Sequence, residues 1–257
     1  MQLPSAANPI GSPFVELQSV DSTNKYAMSL AHAGMAQHGM IIFTHEQTDG
    51  KGQMGKKWSS EKGNNIALSI IINPFPIALT EQFKLSICTA VSIQGFLSGF
   101  AGDETKIKWP NDLYWRDRKA GGVLIENVVQ SRESGVGSWE WSVIGIGINI
   151  NQTSFPADLP NPVSMKQITG KDFEPVELAK QLSTSFDKYF QLLVAGKFEE
   201  LFNLYQSHLY KKEEKVKLKK GNRVFEATIK GVAETGQLIT QNTIEERFEF
   251  GEVEWVS

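Results

Sequence analysis

The chain has 257 residues, 40% hydrophobic and 21% charged, which suits one large folded domain or a large one with a small appendage. A formal net charge of −3 gives no overall pull on nucleic acid, and a lone cysteine, Cys88, excludes an intrachain disulfide. The N-terminus lacks the pattern of a signal peptide, no run of about 18 apolar residues marks a membrane span, and no Cys/His group has zinc spacing.

Residues 1–13 contain Pro4, Pro9 and Pro13 and read as a loose N-terminal extension. Phe14–Val20 alternates as a strand does. Asp21-Ser22-Thr23-Asn24 offers several N-caps for a helix over Lys25–Ala33, with Gly34 as its stop. Met40–His45 is an apolar strand that runs into a glycine-rich stretch, Gln47–Ser60. Asn65–Asn73 is another strand, ended by Pro74 and Pro76. Glu81–Phe100 has the apolar spacing of a buried helix, and Cys88 falls inside it as a buried structural thiol. A reducing, cytoplasmic location fits that cysteine usage.

Lys106–Trp115 reads as two strands around a turn at Pro110-Asn111-Asp112, with a hairpin turn at Asp117-Arg118. Lys119–Val129 and Trp139–Asn151 are strands. In the second, Gly145 and Gly147 alternate with isoleucine, which leaves one face without side chains. Either a helix packs closely there or a ligand has room. A short helix over Val163–Thr169 follows the proline-bearing loop Ser154–Pro162. Helices follow over Glu174–Ala195, with Pro175 in its first turn, and Lys197–Leu209. Lys211–Lys219 holds five lysines and two glutamates and reads as a solvated linker or strand edge. From Lys215 the pattern turns to short strands, Val216–Leu218, Arg223–Val232, Gln237–Gln241 and Arg247–Val256, separated by Gly and Asn turns. A β-barrel of this size should dock on the larger part. The expected divisions are 1–13, 14–210 and 211–257.

The glycine-rich stretch carries Gly50, Gly52 and Gly55 with Lys51, Lys56 and Lys57, then Trp58. Exposed glycine amides form anion-binding concavities and lysines add point charges. It could grip a phosphate or be a flexible charged loop; no Walker spacing is present. No Ser/His/Asp or paired-carboxylate pattern stands out. Lysine, glycine amides and tryptophan recur beside strand ends, an inventory for stabilising phosphate charge rather than for nucleophilic attack.

D-S-T-N (21–24), Q-T-D-G-K-G-Q-M-G-K-K-W (47–58), K-W-P-N-D-L (108–113), R-K-A-G-G-V-L-I-E (118–126) and I-G-I-G-I-N-I-N (144–151) occur in this order. Together they resemble the biotin protein ligase family, the biotin–[acetyl-CoA-carboxylase] ligases, from Phe14 to the C-terminus. The resemblance implies an α+β fold with a central mixed β-sheet flanked by helices, like class II aminoacyl-tRNA synthetases, and a small SH3-like C-terminal barrel. It implies ATP and biotin as substrates, Mg2+, biotinyl-5′-AMP as intermediate, and a lysine of a biotin carboxyl carrier domain as acceptor. Ser22, Thr23, Asn24 and Gln47 match positions around the biotin ureido ring, though Ser22 and Thr23 can also cap the helix. Gly50, Lys51, Gly52, Gln53, Met54 and Lys56 match a loop over biotin and the adenylate, and Trp58 a residue near the adenine. Lys119 matches the lysine that meets the biotin carboxylate and α-phosphate, with Lys51 and Lys56 as further catalytic cations. Asn111 and Asp112 match positions near the phosphates and the metal. Gly121, Gly122, Gly145 and Gly147 would let backbone approach biotin, and Asn149 matches a residue near adenine and ribose.

Two departures stand out. The family loop is arginine-rich, whereas here Lys51 and Lys56 keep charge without the bidentate fork, and Gln53 and Met54 stand where arginine is common. Only about a dozen residues precede the first strand, too few for a helix-turn-helix module, so no operator binding is expected; a homodimer stays open. The alternatives are a lipoate or octanoate transferase of the same superfamily and a binding protein without turnover. The loop is expected to be mobile when empty, since charged glycine-rich loops pack little.

Overall fold

The structure, a computed structural model, describes residues 8–130, 138–157 and 159–256. In chain order its elements are β1 (Phe14–Leu17), α1 (Thr23–His32), β2 (Ile41–Thr44), β3 (Asn65–Ile72), α2 (Phe83–Ala101), β4 (Thr105–Lys108), β5 (Asp112–Trp115), β6 (Arg118–Gln130), β7 (Ser138–Asn149), α3 (Met165–Thr169), α4 (Pro175–Val194) and α5 (Phe198–Ser207). Five further strands follow: β8 (Lys215–Lys220), β9 (Arg223–Val232), β10 (Leu238–Gln241), β11 (Glu245–Phe248) and β12 (Glu254–Val256). Part of the expected N-terminal extension, residues 1–7, lies outside the described residues.

The first seven strands form one mixed sheet in the order β1-β2-β3-β7-β6-β5-β4. Only β1 and β2 run parallel; the other neighbours are antiparallel. Strand alternation sorts its two faces. Ile144, Ile146 and Ile148 of β7, with Val123 of β6, point into the main core with α2, α4 and α5. Val143, on the opposite face, packs with Ala27 of α1, Met40, Ile42 and Ile71. Gly145 and Gly147 share that second face, so the I-G-I-G-I-N strand puts its isoleucines into the core and its glycines on the face that carries α1.

Helix α2 is the centre of the main core, and Leu85, Ile87, Ala90 and Ile93 are fully buried. Each buried leucine or isoleucine side chain contributes about 1.5–3 kcal/mol by leaving water. Its 19 residues are long and apolar enough to cross a membrane by length and composition, though polar residues such as Lys84 and Gln94 interrupt the apolar run. Most of the helix is buried inside the chain, the pattern of a core helix. Cys88 is buried in it, and burial pushes its thiol pKa up, which keeps it protonated and inert.

Local signals behave as their chemistry requires, with three shifts. Gly34 follows α1 with φ of 70°, a left-handed residue that closes the helix. Pro175 opens α4, and Ser164 with Gln167 forms a capping box on α3. β1 is shorter than expected because the chain leaves the sheet after Leu17 and touches it again only at a Val20–Gln47 bridge. The Asp117-Arg118 turn is displaced to Arg116-Asp117, and Arg118 already belongs to β6. The strand expected over Arg247–Val256 is split into β11 and β12 by a turn at Phe250–Glu252.

The expected C-terminal barrel is a five-stranded antiparallel sheet in the order β11-β10-β9-β8-β12. Ile229, Val232, Leu238, Phe248 and Val253 from it merge with the main core. Two polar contacts fix the docking: Trp109 Nε1 donates to Gly236 O (2.8 Å) and Gln206 Nε2 donates to Val232 O. The first holds the turn between β4 and β5, which Tyr205 of α5 also holds by donating from Oη to Pro110 O (3.1 Å), so the docked sheet and α5 together position that turn.

Candidate active site on the glycine face of the sheet

Register places the site. Directly opposed residues on neighbouring strands share a face. One row therefore crosses five strands as Lys108–Asp112–Gly122–Gly147–Ala67. The next row reads Leu124–Gly145–Ser69–Ile42.

Lys119 would miss this face if β6 were regular, because it stands three residues from Gly122. A β-bulge brings it round. β5 pairs Leu113 with Gly121 but Tyr114 with Lys119, so Ala120 is the extra residue. The bulge turns Lys119 onto the face of Asp112 and Gly122. Its Nζ is then 2.7 Å from Asp112 Oδ1, with both side chains about a third exposed. The backbone groups freed from the ladder are satisfied elsewhere: Lys119 N–H donates to Asn161 O (2.9 Å) and Val163 N–H to Lys119 O (2.9 Å). Asn149, 5% exposed, clamps this segment, its Nδ2 donating to Val163 O (3.2 Å) and Lys119 O (3.4 Å). Asn149 thus holds Lys119 in place.

At the other end of the face, under α1, lies a compact polar cluster. Thr23 N–H donates to Gln47 Oε1 (2.9 Å), and Thr23 Oγ1 lies 3.1 Å from the same oxygen. Ser69 Oγ is 2.8 Å from Thr23 Oγ1 and 2.6 Å from Asn24 Oδ1. Asn24 Nδ2 donates to Glu126 Oε2 (2.8 Å), which fixes the orientation of that amide. The two hydroxyls have two protons for three oxygen–oxygen contacts, and Asn24 Oδ1 and Gln47 Oε1 can only accept. The cluster is therefore one proton short and suited to receive an N–H. Ser22 starts α1, yet its side chain makes no capping bond, so capping does not account for it. Among the described residues the Ser22 hydroxyl and Gln47 Nε2 have no partner and can donate to a carbonyl. Ser69 and Glu126 were not among the sequence-predicted residues. The signal for Ser69 was a lone hydroxyl inside the wholly buried N-I-A-L-S-I-I-I strand.

The glycines between these ends sit under protein atoms. A Cβ on Gly145 would lie 2.3 Å from Asn24 Oδ1, and one on Gly147 2.4 Å from the Trp58 ring. Close packing of α1 against the strand thus accounts for Gly145, and the Trp58 ring lies on Gly147 rather than leaving open room. Trp58 Nε1 is buried without a partner among the described residues. Gly122 faces the Lys119–Asp112 pair. Gly121 is turned to the helix-covered face, opposite Ile148 and Leu113.

The glycine loop is a small hairpin. Trp58 N–H donates to Gly50 O (2.9 Å), Gly52 N–H to Lys56 O (2.7 Å), and Lys51 bridges Lys57. Gln53 Nε2 donates to Val123 O (3.3 Å), an oxygen that Asn111 Nδ2 also contacts. Lys51 and Lys56 are exposed. At the tip Met54 is 70% exposed with φ of 51°, and its methyl reaches the turn at Gly251 of the C-terminal sheet. Lys25 of α1 holds the loop base through Asp49 (2.7 Å). The structure thus brings Thr23, Asn24 and Gln47 into one group, Lys119, Asp112 and Asn149 into a second, and leaves Lys51 and Lys56 on the loop above them.

Residues 16–149, which span both groups, match the model of the biotin/lipoate A/B protein ligase family. The chain belongs to this family. Over 236 residues it is 30% identical to the bifunctional ligase/repressor BirA of Bacillus subtilis (strain 168), covering 90% of this chain and 70% of that protein. It is 27% identical to a biotin–[acetyl-CoA-carboxylase] ligase of Paracoccus denitrificans, over 87% of this chain and 92% of the relative. In fold it resembles the biotin protein ligase from Aquifex aeolicus solved in complex with biotin and ATP, with a TM-score of 0.79 at 24% identity, covering 95% of this chain and 100% of that one. The shared family architecture includes the mixed sheet whose glycine face carries the two polar groups.

Proposed function

We infer that this chain is a biotin protein ligase, which activates biotin with ATP to biotinyl-5′-AMP and passes the biotinyl group to a lysine of a biotin carboxyl carrier domain. One observation carries the reading within the family. A cluster suited to a cyclic urea and a lysine suited to a phosphoryl group share one sheet face, in adjoining rows. A ureido ring offers N–H donors and one carbonyl. The Thr23–Ser69–Asn24 oxygens can take an N–H, and the Ser22 hydroxyl and Gln47 Nε2 can meet the carbonyl.

In the first step a biotin carboxylate oxygen attacks the α-phosphorus of ATP, the bond to the bridging oxygen breaks, and pyrophosphate leaves with the electron pair. The protein has little covalent work here. It aligns two anions and stabilises the charge that develops between them. Lys119 is the central cation, held by the bulge and by Asn149, and Lys51 and Lys56 add charge from the loop. In the second step the neutral ε-amine of the carrier lysine attacks the acyl carbon, AMP leaves with the electrons of the C–O bond, and the nitrogen gives up one proton to solvent as the amide forms.

Magnesium belongs to the same proposal. Among the described residues no three His, Cys, Asp or Glu side chains converge as a metal cage. Magnesium held mainly by nucleotide phosphates needs only one or two protein carboxylates, and Asp112 beside Lys119 is the carboxylate available. Its contribution when bound is to screen phosphate charge.

The test is an incubation with ATP, magnesium, a carrier domain, and labelled biotin or labelled lipoate. Label should pass from biotin alone and be lost in Lys119→Ala. Transfer from lipoate would instead identify the acyltransferase branch of the family, and binding without transfer a protein that has lost turnover.

A further inference from the structure

Lys108 stands at the outer end of the row Lys108–Asp112–Gly122–Gly147. Its surroundings are unusual for a lysine. Among the described residues it has no carboxylate within ion-pair distance. Its Nζ contacts Tyr114 Oη at 3.2 Å and lies 4.6 Å, 4.9 Å and 5.7 Å from the ring centroids of Tyr114, Trp255 and Tyr210. Tyr210 follows α5 and Trp255 lies on β12, so the C-terminal part of the chain builds two walls of this cage. Among the described residues Trp255 Nε1 is buried without a partner, while its ring packs on the main core and lies by Lys108 and Tyr210 (5.8 Å). Tyr210 is itself fixed by donating to Asp117 Oδ1 (2.7 Å).

An ammonium partly withdrawn from water with no counter-ion is costly, and aromatic faces compensate only in part. Burial accordingly pushes the Lys108 pKa down to about 8, with Lys119 and Lys56 pushing the same way and Asp112 and Asp117 opposing. Such a cation is completed by an arriving anion. The row indicates which part of that anion. Strands lie about 4.8 Å apart. From Gly147, one row along from the urea-binding cluster, the row runs outward to the Lys119–Asp112 pair, and Lys108 comes one strand later. With Lys119 at the α-phosphate, Lys108 faces the terminal phosphates.

We propose that Lys108 is a further substrate-binding cation of this site, held by Tyr114, Tyr210 and Trp255 to receive the pyrophosphate portion of ATP as it leaves. This rests on the ligase reading, and it makes the C-terminal sheet a positioning element for the first step. The bond that breaks is the one between the α-phosphorus and the bridging oxygen; Lys108 stabilises the charge left on the pyrophosphate and transfers no proton.

The experiment compares wild type, Lys108→Met, Lys108→Arg and Trp255→Leu in biotin-dependent ATP–pyrophosphate exchange and in transfer from preformed biotinyl-AMP to a carrier domain. Lys108→Met should slow exchange or raise the ATP KM by about tenfold or more, while the biotin KM and transfer from preformed adenylate stay within about twofold. Lys108→Arg should recover most of the loss, and Trp255→Leu should shift the same parameters less. Equal losses in both steps, or unchanged exchange in Lys108→Met, would overturn the proposal. Absence of exchange in wild type would instead remove the ligase reading. If Lys108→Met does not fold, lysine acetylation of wild type decides. Inorganic pyrophosphate with magnesium should protect Lys108 and biotin alone should not; protection of Lys119 without Lys108 would sink the idea.

Discussion

The two ends of the site are built in opposite ways. At the proposed urea-binding end Ser22, Thr23, Asn24 and Ser69 are nearly inaccessible, and short hydrogen bonds link Thr23, Asn24 and Ser69 to one another and to Gln47 and Glu126. At the phosphate end Lys51 and Lys56 are exposed on a loop, and the Lys119–Asp112 pair is partly open to solvent. A neutral ring needs fixed donors and acceptors, because discrimination comes from leaving a buried polar group unpaired when the wrong ligand enters. A triphosphate is recognised by charge, which acts over longer distances and tolerates looser placement. On the proposed reading, one end is built for selection and the other is charged for chemistry.

The comparison breaks most sharply at the bulge. Deleting Ala120 would make β6 regular and turn Lys119 to the helix-covered face. Adenylation should fall as far as in Lys119→Ala, by about 100-fold or more, the scale seen when a central electrostatic stabiliser is removed. The deletion keeps the lysine, so a surviving rate in biotin-dependent pyrophosphate exchange would show that the bulge does not aim it. Lys119→Ala should leave stability within about 1 kcal/mol, since a partly exposed ion pair contributes little.

Gly147→Val probes the join between the ends. Its Cβ would meet the Trp58 ring at 2.4 Å, so Trp58 and the loop that ends on it must shift. Overpacking of this kind costs about 1–3 kcal/mol. Both half-reactions should slow, and Trp58 fluorescence should change. A normal spectrum with normal rates would show that the loop end is not seated there.

Ser69→Ala tests the rigid end alone. It removes a hydroxyl that links Thr23 to Asn24, and leaving buried oxygens unpaired costs about 1–3 kcal/mol. The biotin KM should rise by about tenfold while the ATP KM holds. Equal changes in both would mean that the cluster supports the fold rather than the ring.

Much of this was legible in the sequence, and the gaps have physical causes. The alternation in Ile144–Asn149 gave both the strand and its bare face, because glycine every second residue marks one side of a pleat. It could not say what lies on that side, since Asn24 and Trp58 arrive from 121 and 89 residues away, as the difference from position 145 or 147 shows. Ser69 was overlooked because one hydroxyl in an apolar strand has no periodic signature; its importance comes from two partners on α1. Lys119 was recognised by its motif, yet its orientation depends on a bulge that Lys119-Ala120-Gly121 does not reveal, since the extra residue is defined only against β5. The Lys108 cage is invisible for the same reason: Tyr210 reaches it by pairing of the chain after α5 with β4, and Trp255 only after the C-terminal sheet has docked.

The smallest effect expected concerns the loop itself. Gln53, where the family resemblance leads one to expect arginine, spends its amide on Val123 O at 3.3 Å and brings no charge. Replacing it with arginine keeps a donor for that carbonyl and adds a guanidinium, whose planar fork suits a phosphate better than lysine does. The position is partly exposed, so screening limits the gain to about 1 kcal/mol or less. Gln53→Arg should therefore retain biotinyl-AMP a few times longer on rapid gel filtration, with the biotin KM unchanged because the urea-binding cluster is untouched. The same substitution should slow limited proteolysis at 50–58 only when biotin and ATP are both present. Equal retention in the two proteins would mean that Lys51, Lys56 and the loop amides already hold the adenylate as firmly as this site allows.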